Sequence, residues 1–311
     1  MAGKLSVVLV SFNTRQLLEE CLASLFPELN DLAEDGGVVV VDNASADGSA
    51  DRVRERFPQA VVVKNPTNRG FAAAVNQGIA LSRGEYVLLL NPDTTILNGA
   101  VAALVSFLDA HPQVGVVAPR LLNPDGSHQH SAFRFPSLWM SFLDFFPLNH
   151  KLVSSPLNGR YPPRAYLAPF PADHPLGACF LIRRRVVEEV GPLSEDYFMY
   201  CEEIDWCLRI KRAGWLIYCQ PQAQVIHYGG QSTRQVWPAM FYELHRSRLL
   251  LFRKHYSVPF SLLARCIVAL GVSWEMFRGL RDYRRRAITQ TELKTREGAY
   301  RRVLRLVTRD A

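Results

Sequence analysis

The chain has 311 residues, 48% of them hydrophobic and 21% charged. These values exclude a disordered chain and suit one large α/β domain with an appendage, or two small domains. The formal net charge of +7 is uneven: from residue 232 onward 17 Lys and Arg stand against 6 Asp and Glu, so any basic surface lies in the tail and the rest of the chain is slightly acidic.

The opening MAGKLSVVLVSFN does not read as a secretory signal. Its apolar run is short and alternating, and Asn13, Thr14 and Arg15 follow at once. The run at 5–12 predicts a buried strand. Residues 14–26 carry Leu17, Leu18, Cys21, Leu22 and Leu25 at helical spacing. A second apolar run at 38–41 ends in Asp42-Asn43-Ala44-Ser45, which is turn chemistry before a helix. A short third strand is expected at 61–64, and Asn68-Arg69-Gly70 then opens a helix through Ala80. A fourth strand at 86–90 ends in Asn91-Pro92-Asp93, and a helix at 99–110 stops at His111-Pro112.

Apolar strands alternating with helices predict a mostly parallel sheet covered on both faces. Ligands bind such sheets beyond the carboxyl ends of the strands, which is where Ser11/Asn13, Asp42/Asn43, Asn68–Gly70 and Asn91/Asp93 cluster. Residues 123–170, rich in Pro, aromatics and His, read as long loops with short elements over that site. Pattern returns with a strand at 177–183, helices at 184–190 and 202–213, and a strand at 216–219. Further helices are expected at 238–255, 258–277 and 278–311. Six cysteines form neither a CxxC pair nor a zinc-like spacing, which predicts free thiols in a reducing cytosol.

No GxxxxGK[ST] occurs and no GxGxxG follows the first strand, which disfavours a P-loop kinase or a dinucleotide dehydrogenase. A diphosphate can instead be held through Mg²⁺ or Mn²⁺, which take carboxylates and phosphate oxygens. Asp93 is the candidate ligand; a turn or helix-cap Asp is the plainer reading. Asp42 has the same plain reading, and could also accept hydrogen bonds from a base or ribose. In FMYCEEIDW, Glu202, Glu203 and Asp205 open a helix. The macrodipole favours negative charge there, but apolar and aromatic neighbours suggest a walled site in which one glutamate acts as general base. His227 ends an apolar run and is followed by two glycines. Its neutral imidazole is a candidate second metal ligand.

The segments SVVLVSFN, VVVVDNASADGS, NRGFAAAVNQGI, YVLLLNPDTTI, HPLGACFLIRR, FMYCEEIDWCLRIKRAGW and VIHYGGQS, in this order over roughly residues 4–255, resemble the family 2 glycosyltransferases, closest to a bacterial rhamnosyltransferase-like branch. The resemblance implies a GT-A fold, a nucleotide-diphosphate sugar donor, Mg²⁺ or Mn²⁺, and inversion at the anomeric carbon. It places Ser11, Asn13, Asp42, Asn68 and Gly70 at the nucleotide. It puts Asn91 and Asp93 where the family has Asp-x-Asp, so that Asp93 would be the carboxylate ligand, with His227 beside it. Glu203 stands at the catalytic base, with Glu202 as the alternative, and Gly177 and Asp205 fall on the acceptor side or behind it. Residues 1–235 are then the catalytic domain, with a nucleotide half to about 120 and an acceptor half beyond. Residues 236–311 are a basic amphipathic helical extension.

The expected acceptor is a lipid-linked or polysaccharide glycan, and the expected place is the inner face of the cell membrane. Residues 258–277 are long enough to span a bilayer, but Arg265 and Glu275 argue for an amphipathic helix lying on its surface. Arg278, Arg281 and Arg284–Arg286 would then meet anionic headgroups. A soluble bundle or homodimer interface is the alternative. No motif interleaving aromatic and basic residues supports nucleic-acid binding.

Overall fold

The computed structural model describes residues 4–29, 32, 37–153, 155–229 and 237–309. Gly230, Gln231 and Ser232 of the VIHYGGQS motif, and the expected boundary at 235, lie outside the described residues. The elements run β1 (Leu5–Ser11), α1 (Arg15–Leu29), β2 (Val38–Asp42), α2 (Ser49–Arg56), β3 (Val61–Lys64), α3 (Phe71–Leu81), β4 (Tyr86–Leu90), β5 (Thr94–Ile96), α4 (Ala100–Ala110), β6 (Val114–Leu122), β7 (His128–Gln129) and β8 (Ala132–Phe133). They continue as α5 (Leu138–Phe145), α6 (His150–Val153), β9 (Phe170–Pro171), β10 (His174–Pro175), β11 (Cys179–Arg183), α7 (Arg184–Val190), α8 (Glu202–Arg212), β12 (Leu216–His227), α9 (Trp237–His255), α10 (Val258–Arg284) and α11 (Gln290–Arg309).

One sheet carries the order β3-β2-β1-β4-β11-β6-β12-β5, with β7 beside β6 and β9 beside β12. From β3 to β4 the strands are parallel. β11 then runs antiparallel between β4 and β6, while β6 and β12 are again parallel. Continuous Val and Leu runs explain the centre: every residue of β1, β2 and β4 is buried, as a strand covered on both faces requires. On one face α1 seats Leu18, Cys21, Leu22 and Leu25, and α4 seats Val101, Leu104 and Leu108. On the other, α3 lies so close that a Cβ on Gly78 would run into Val8.

The pattern singles out neither β5 nor β6. Pro119 interrupts the apolar run of β6, which weakens it as a strand signal. β12 is one strand of 12 residues, not a short strand and a later run. Its pairing with β6 slips between Gln220 and Gln224, around Pro221, which cannot donate to the ladder.

The chain divides into two compact units. The first comprises Met1–Arg134, Tyr161–Phe198 and Glu202–Ser232 and holds the sheet. The second comprises Phe135–Arg160, Met199–Cys201 and Thr233–Ala311, so the segment at 135–160 groups with the tail. In the second unit Phe145, Leu249, Val268, Val272, Tyr300, Val303 and Val307 form the core. α5 is capped by the Ser137 hydroxyl, which accepts from the Met140 N–H. Thr289 and Glu292 form a reciprocal capping box at the start of α11.

α10 departs from the expected amphipathic helix. Its buried side is Ala264, Val268, Gly271, Val272 and Gly279. Its outer side exposes Val258, Leu262, Leu263, Leu270, Trp274, Phe277, Leu280 and Tyr283. Small residues pack inward and large apolar residues face out, joined toward the C-terminal end by Arg278, Arg281 and Arg284. By length and composition alone the helix could cross a membrane.

Candidate active site

The loops after β1 and β2 are stitched together. Asn13 takes a left-handed backbone, φ 52°, which Asn tolerates better than most residues. Its N–H donates to Ser45 Oγ at 2.9 Å, and its side-chain oxygen accepts from the Ala46 N–H at 2.8 Å. Ser11 is buried, with Oγ 3.0 Å from Thr14 Oγ1. Asp42 is fully buried at the end of β2, and neither carboxylate oxygen has a hydrogen-bond partner among the described residues. Buried acceptors are normally satisfied, so an unsatisfied carboxylate at a strand end points to a missing donor group.

Asn43, named above only as part of a strand-end cluster, organises the neighbouring loop. Its amide donates to Asn68 Oδ1 at 2.8 Å and to the Gly70 carbonyl at 3.1 Å. Its oxygen accepts from Asn65 Nδ2 at 3.1 Å and from the Arg69 N–H at 3.0 Å. Asn68 Oδ1 also accepts from the Gly70 N–H at 2.9 Å. Gly70 has φ 85°, and a Cβ there would lie 2.6 Å from the Phe198 carbonyl oxygen. Only glycine fits this approach. The Phe71 N–H donates to the same oxygen at 2.7 Å, tying the start of α3 to the segment that leads into α8.

Asp93 and His227 meet across the sheet. β5 pairs with the end of β12, Thr94 opposite His227, and the Tyr228 N–H donates to the Asp93 carbonyl at 3.0 Å. Asp93 Oδ1 lies 3.6 Å from His227 Nε2, and the two residues are 7% and 8% exposed. Two atoms each about 2.1 Å from one cation can stand at most about 4.2 Å apart, and this separation lies within that limit. Among the described residues no third His, Cys, Asp or Glu joins them. The other coordination positions would fall to phosphate oxygens and water, as is usual for Mg²⁺.

The two residues before β11 lie between this pair and the acidic cluster. The Asn91 N–H donates to the Ala178 carbonyl at 2.8 Å. The adjoining Gly177 lies against Glu203: a Cβ there would sit 3.5 Å from Glu203 Cγ. Tyr200 and Cys201, just before α8, have φ 68° and 66°, strained values for such residues. Glu202 is buried, and Glu203 is partly open. One oxygen of each is buried without a partner among the described residues. Burial pushes the Glu203 carboxyl up to about 7. Burial, and then the charge of Glu203, push Glu202 well above the usual carboxylate range. Two adjacent carboxylates cannot both ionise cheaply in a dry site. Glu203 thus combines access with an affinity for protons near neutrality, as a general base requires. Asp205 is differently engaged: its carboxylate accepts from Arg209 Nε at 2.9 Å and from the Tyr197 hydroxyl at 3.3 Å. Arg209 in turn donates to the carbonyls of Val190 and Pro192. Asp205 therefore braces α8.

The model of the glycosyl transferase family 2 matches residues 6–191. The chain is 30% identical to N-acetylglucosaminyl-diphospho-decaprenol L-rhamnosyltransferase of Mycobacterium tuberculosis over 94% of its own length and 99% of that protein. It is 23% identical to dTDP-rhamnosyl transferase RfbF of Shigella flexneri over 86% of each chain. The mannosyltransferase PcManGT of Pyrobaculum calidifontis shares the fold, with a TM-score of 0.57 at 18% identity over all of this chain and 88% of that one. A family match over more than half the sequence, and a relative aligned nearly end to end, show that the chain belongs to glycosyl transferase family 2.

Proposed function

We propose that this glycosyltransferase moves a sugar from a nucleotide diphosphate to a lipid-linked glycan acceptor in cell-envelope synthesis, with inversion at the anomeric carbon. The observation that carries the reading is the segment just before β11, where Asn91 of the Asn-Pro-Asp turn bonds to Ala178 and Glu203 packs on Gly177. A leaving-group site and a base are thereby held by adjacent backbone. Asp42 accepts from the base or ribose of the donor, beside the loops of Ser11, Asn13, Asn68 and Gly70. Asp93 and His227 would hold Mg²⁺ or Mn²⁺, whose charge would offset that of the diphosphate. Support for the ion comes from solved structural neighbours described with Mn²⁺ and a nucleotide or nucleotide sugar. Glu203 takes the proton of the acceptor hydroxyl as its oxygen bonds to C1 from the face opposite the diphosphate. The C1–O bond to the diphosphate breaks as the new bond forms, and its electron pair leaves with the phosphate. Glu202, more deeply buried, stays protonated and keeps the second charge out of the site.

The names of the relatives favour L-rhamnose from dTDP-rhamnose as donor and a prenyl-diphosphate-linked sugar as acceptor. The outward apolar side of α10 and the arginines that follow it favour attachment to the inner face of the membrane. A thermal-shift screen of UDP, GDP, dTDP, ADP and CDP, with and without Mn²⁺, tests the reading. A Mn²⁺-dependent rise with dTDP is expected, because a ligand of the folded state stabilises it by mass action. No rise with any nucleotide would remove the donor site. A rise with UDP or GDP alone would replace the sugar class.

A further inference from the structure

Gln129, on β7, accepts from or donates to three groups at once. Its Nε2 donates to Asn123 Oδ1 at 2.9 Å and to the His227 carbonyl at 3.1 Å. Its Oε1 lies 2.8 Å from His227 Nδ1. The orientation of the amide follows from its neighbours. Asn123 spends its own amide N–H groups on Ser127 Oγ, at 2.9 Å, and on the His128 carbonyl, at 3.4 Å, so it offers Gln129 an oxygen. A carbonyl oxygen is all that the His227 backbone can offer. Reversing the Gln129 amide would set oxygen against oxygen twice, so Oε1 must face the imidazole.

An oxygen at 2.8 Å from Nδ1 requires a proton on Nδ1. In neutral His227 the lone pair is then on Nε2, which faces Asp93 Oδ1 at 3.6 Å. That distance is too long for an N–H···O bond. Two acceptor atoms facing one another across it describe a place for a cation. We infer that Gln129 is a positioning residue: it fixes the tautomer and the ring plane of His227 so that Nε2 is presented to the metal. The inference rests on the metal site proposed above, and its origin in the sequence is local. Asn123-Pro124-Asp125-Gly126 is a tight turn, with φ 80° at Gly126 and Ser127 N–H bonded to Asp125 Oδ1. This turn folds β7 back on β6, with Gln129 opposite Leu121.

The test reads the tautomer directly. Side-chain ¹⁵N NMR of the metal-free protein at about pH 8, where an ordinary imidazole is neutral, should show His227 protonated at Nδ1. In Q129M, which keeps the length and removes the acceptor, the proton should redistribute to Nε2. Mn²⁺ affinity, followed by the free-ion EPR signal, should fall about 10–100-fold, the usual cost of losing a partner behind a metal-bound histidine. Far-UV circular dichroism should be unchanged. N123A, which leaves the Gln129 amide free to reverse, should move both readouts in the same direction by less, and it serves if Q129M does not fold. A wild-type His227 protonated at Nε2 would overturn the inference. So would variants that fold, keep Nδ1 protonated and bind Mn²⁺ within twofold of wild type. Failure of the metal site itself is separable: the wild-type protein would then bind no Mn²⁺, while the tautomer is read without it.

Discussion

At the residue scale the two glutamates differ by exposure more than by chemistry. Glu203 must lose its proton to act, and burial holds that proton on up to about 7. Turnover is therefore expected to rise with pH through neutrality. E203Q should lower kcat by about 10²–10⁴-fold and leave no such rise, as a pH–rate series in saturating donor will show. E202Q, which mimics the protonated form, should retain most of the activity. If the two variants behave in the opposite sense, the base is Glu202. The same burial acts on stability. Glu203 binds its proton more tightly when folded than the ordinary value of 4.5 allows when unfolded. Its contribution is complete below that value and is lost as pH rises through about 7. In the metal-free protein, urea midpoints should fall from pH 5 to pH 8, by the roughly neutral-range window of a raised carboxylate, and E203Q should flatten that fall.

The residue scale also shows why legibility was uneven. Asp42, Asp93 and His227 stand at or just beyond the ends of apolar runs and Glu203 stands in an acidic cluster at a helix start, and both signals are visible in a linear pattern. The bonds of Asn43, by contrast, reach residues 22–27 positions away, and Gln129 matters through His227, 98 positions away, which no local pattern reports. The Asn-Pro-Asp-Gly turn before Gln129 was nonetheless readable turn chemistry.

At the scale of elements, β1 to β4 were legible because each is a continuous apolar run between turns. β5 is three residues long and carries no periodicity of its own. It forms because β12 offers it an edge. The loop between β3 and α3 depends on one glycine. G70A should destabilise the protein by about 1–3 kcal/mol in urea titration, from a strained positive φ and a forced retreat of Phe198. G126A, with a similar φ but open space around it, should cost less. If both cost the same, the contact with Phe198 is not what constrains residue 70.

At the scale of the whole molecule the charge and the apolar surface coincide in the tail. W274S/F277S on α10 should reduce cosedimentation with vesicles containing anionic lipid, while transfer to a water-soluble acceptor analogue stays within twofold. Unchanged cosedimentation would assign the exposed side of α10 to another copy of the chain, and a change in mass by sedimentation would then accompany the same variant. The sequence placed the basic residues here correctly as composition, but the distribution of large and small side chains around α10 is set by what packs inside. Phe145 fills the space that Gly271 leaves open, and that partner comes from a distant segment.

The antiparallel insertion of β11 has a dynamic consequence. Its ladder with β4 runs without interruption from Cys179 opposite Leu90 to Arg183 opposite Tyr86, and it continues to β6. A hinge opening between the parallel strands and the rest of the sheet would have to break that ladder. Amide hydrogens of β4 and β11 should therefore exchange with solvent only through global unfolding, on the slowest timescale of the protein. Substrate entry is left to the loops at the strand ends, so the speed of admission and the rigidity of the reacting centre can be altered separately.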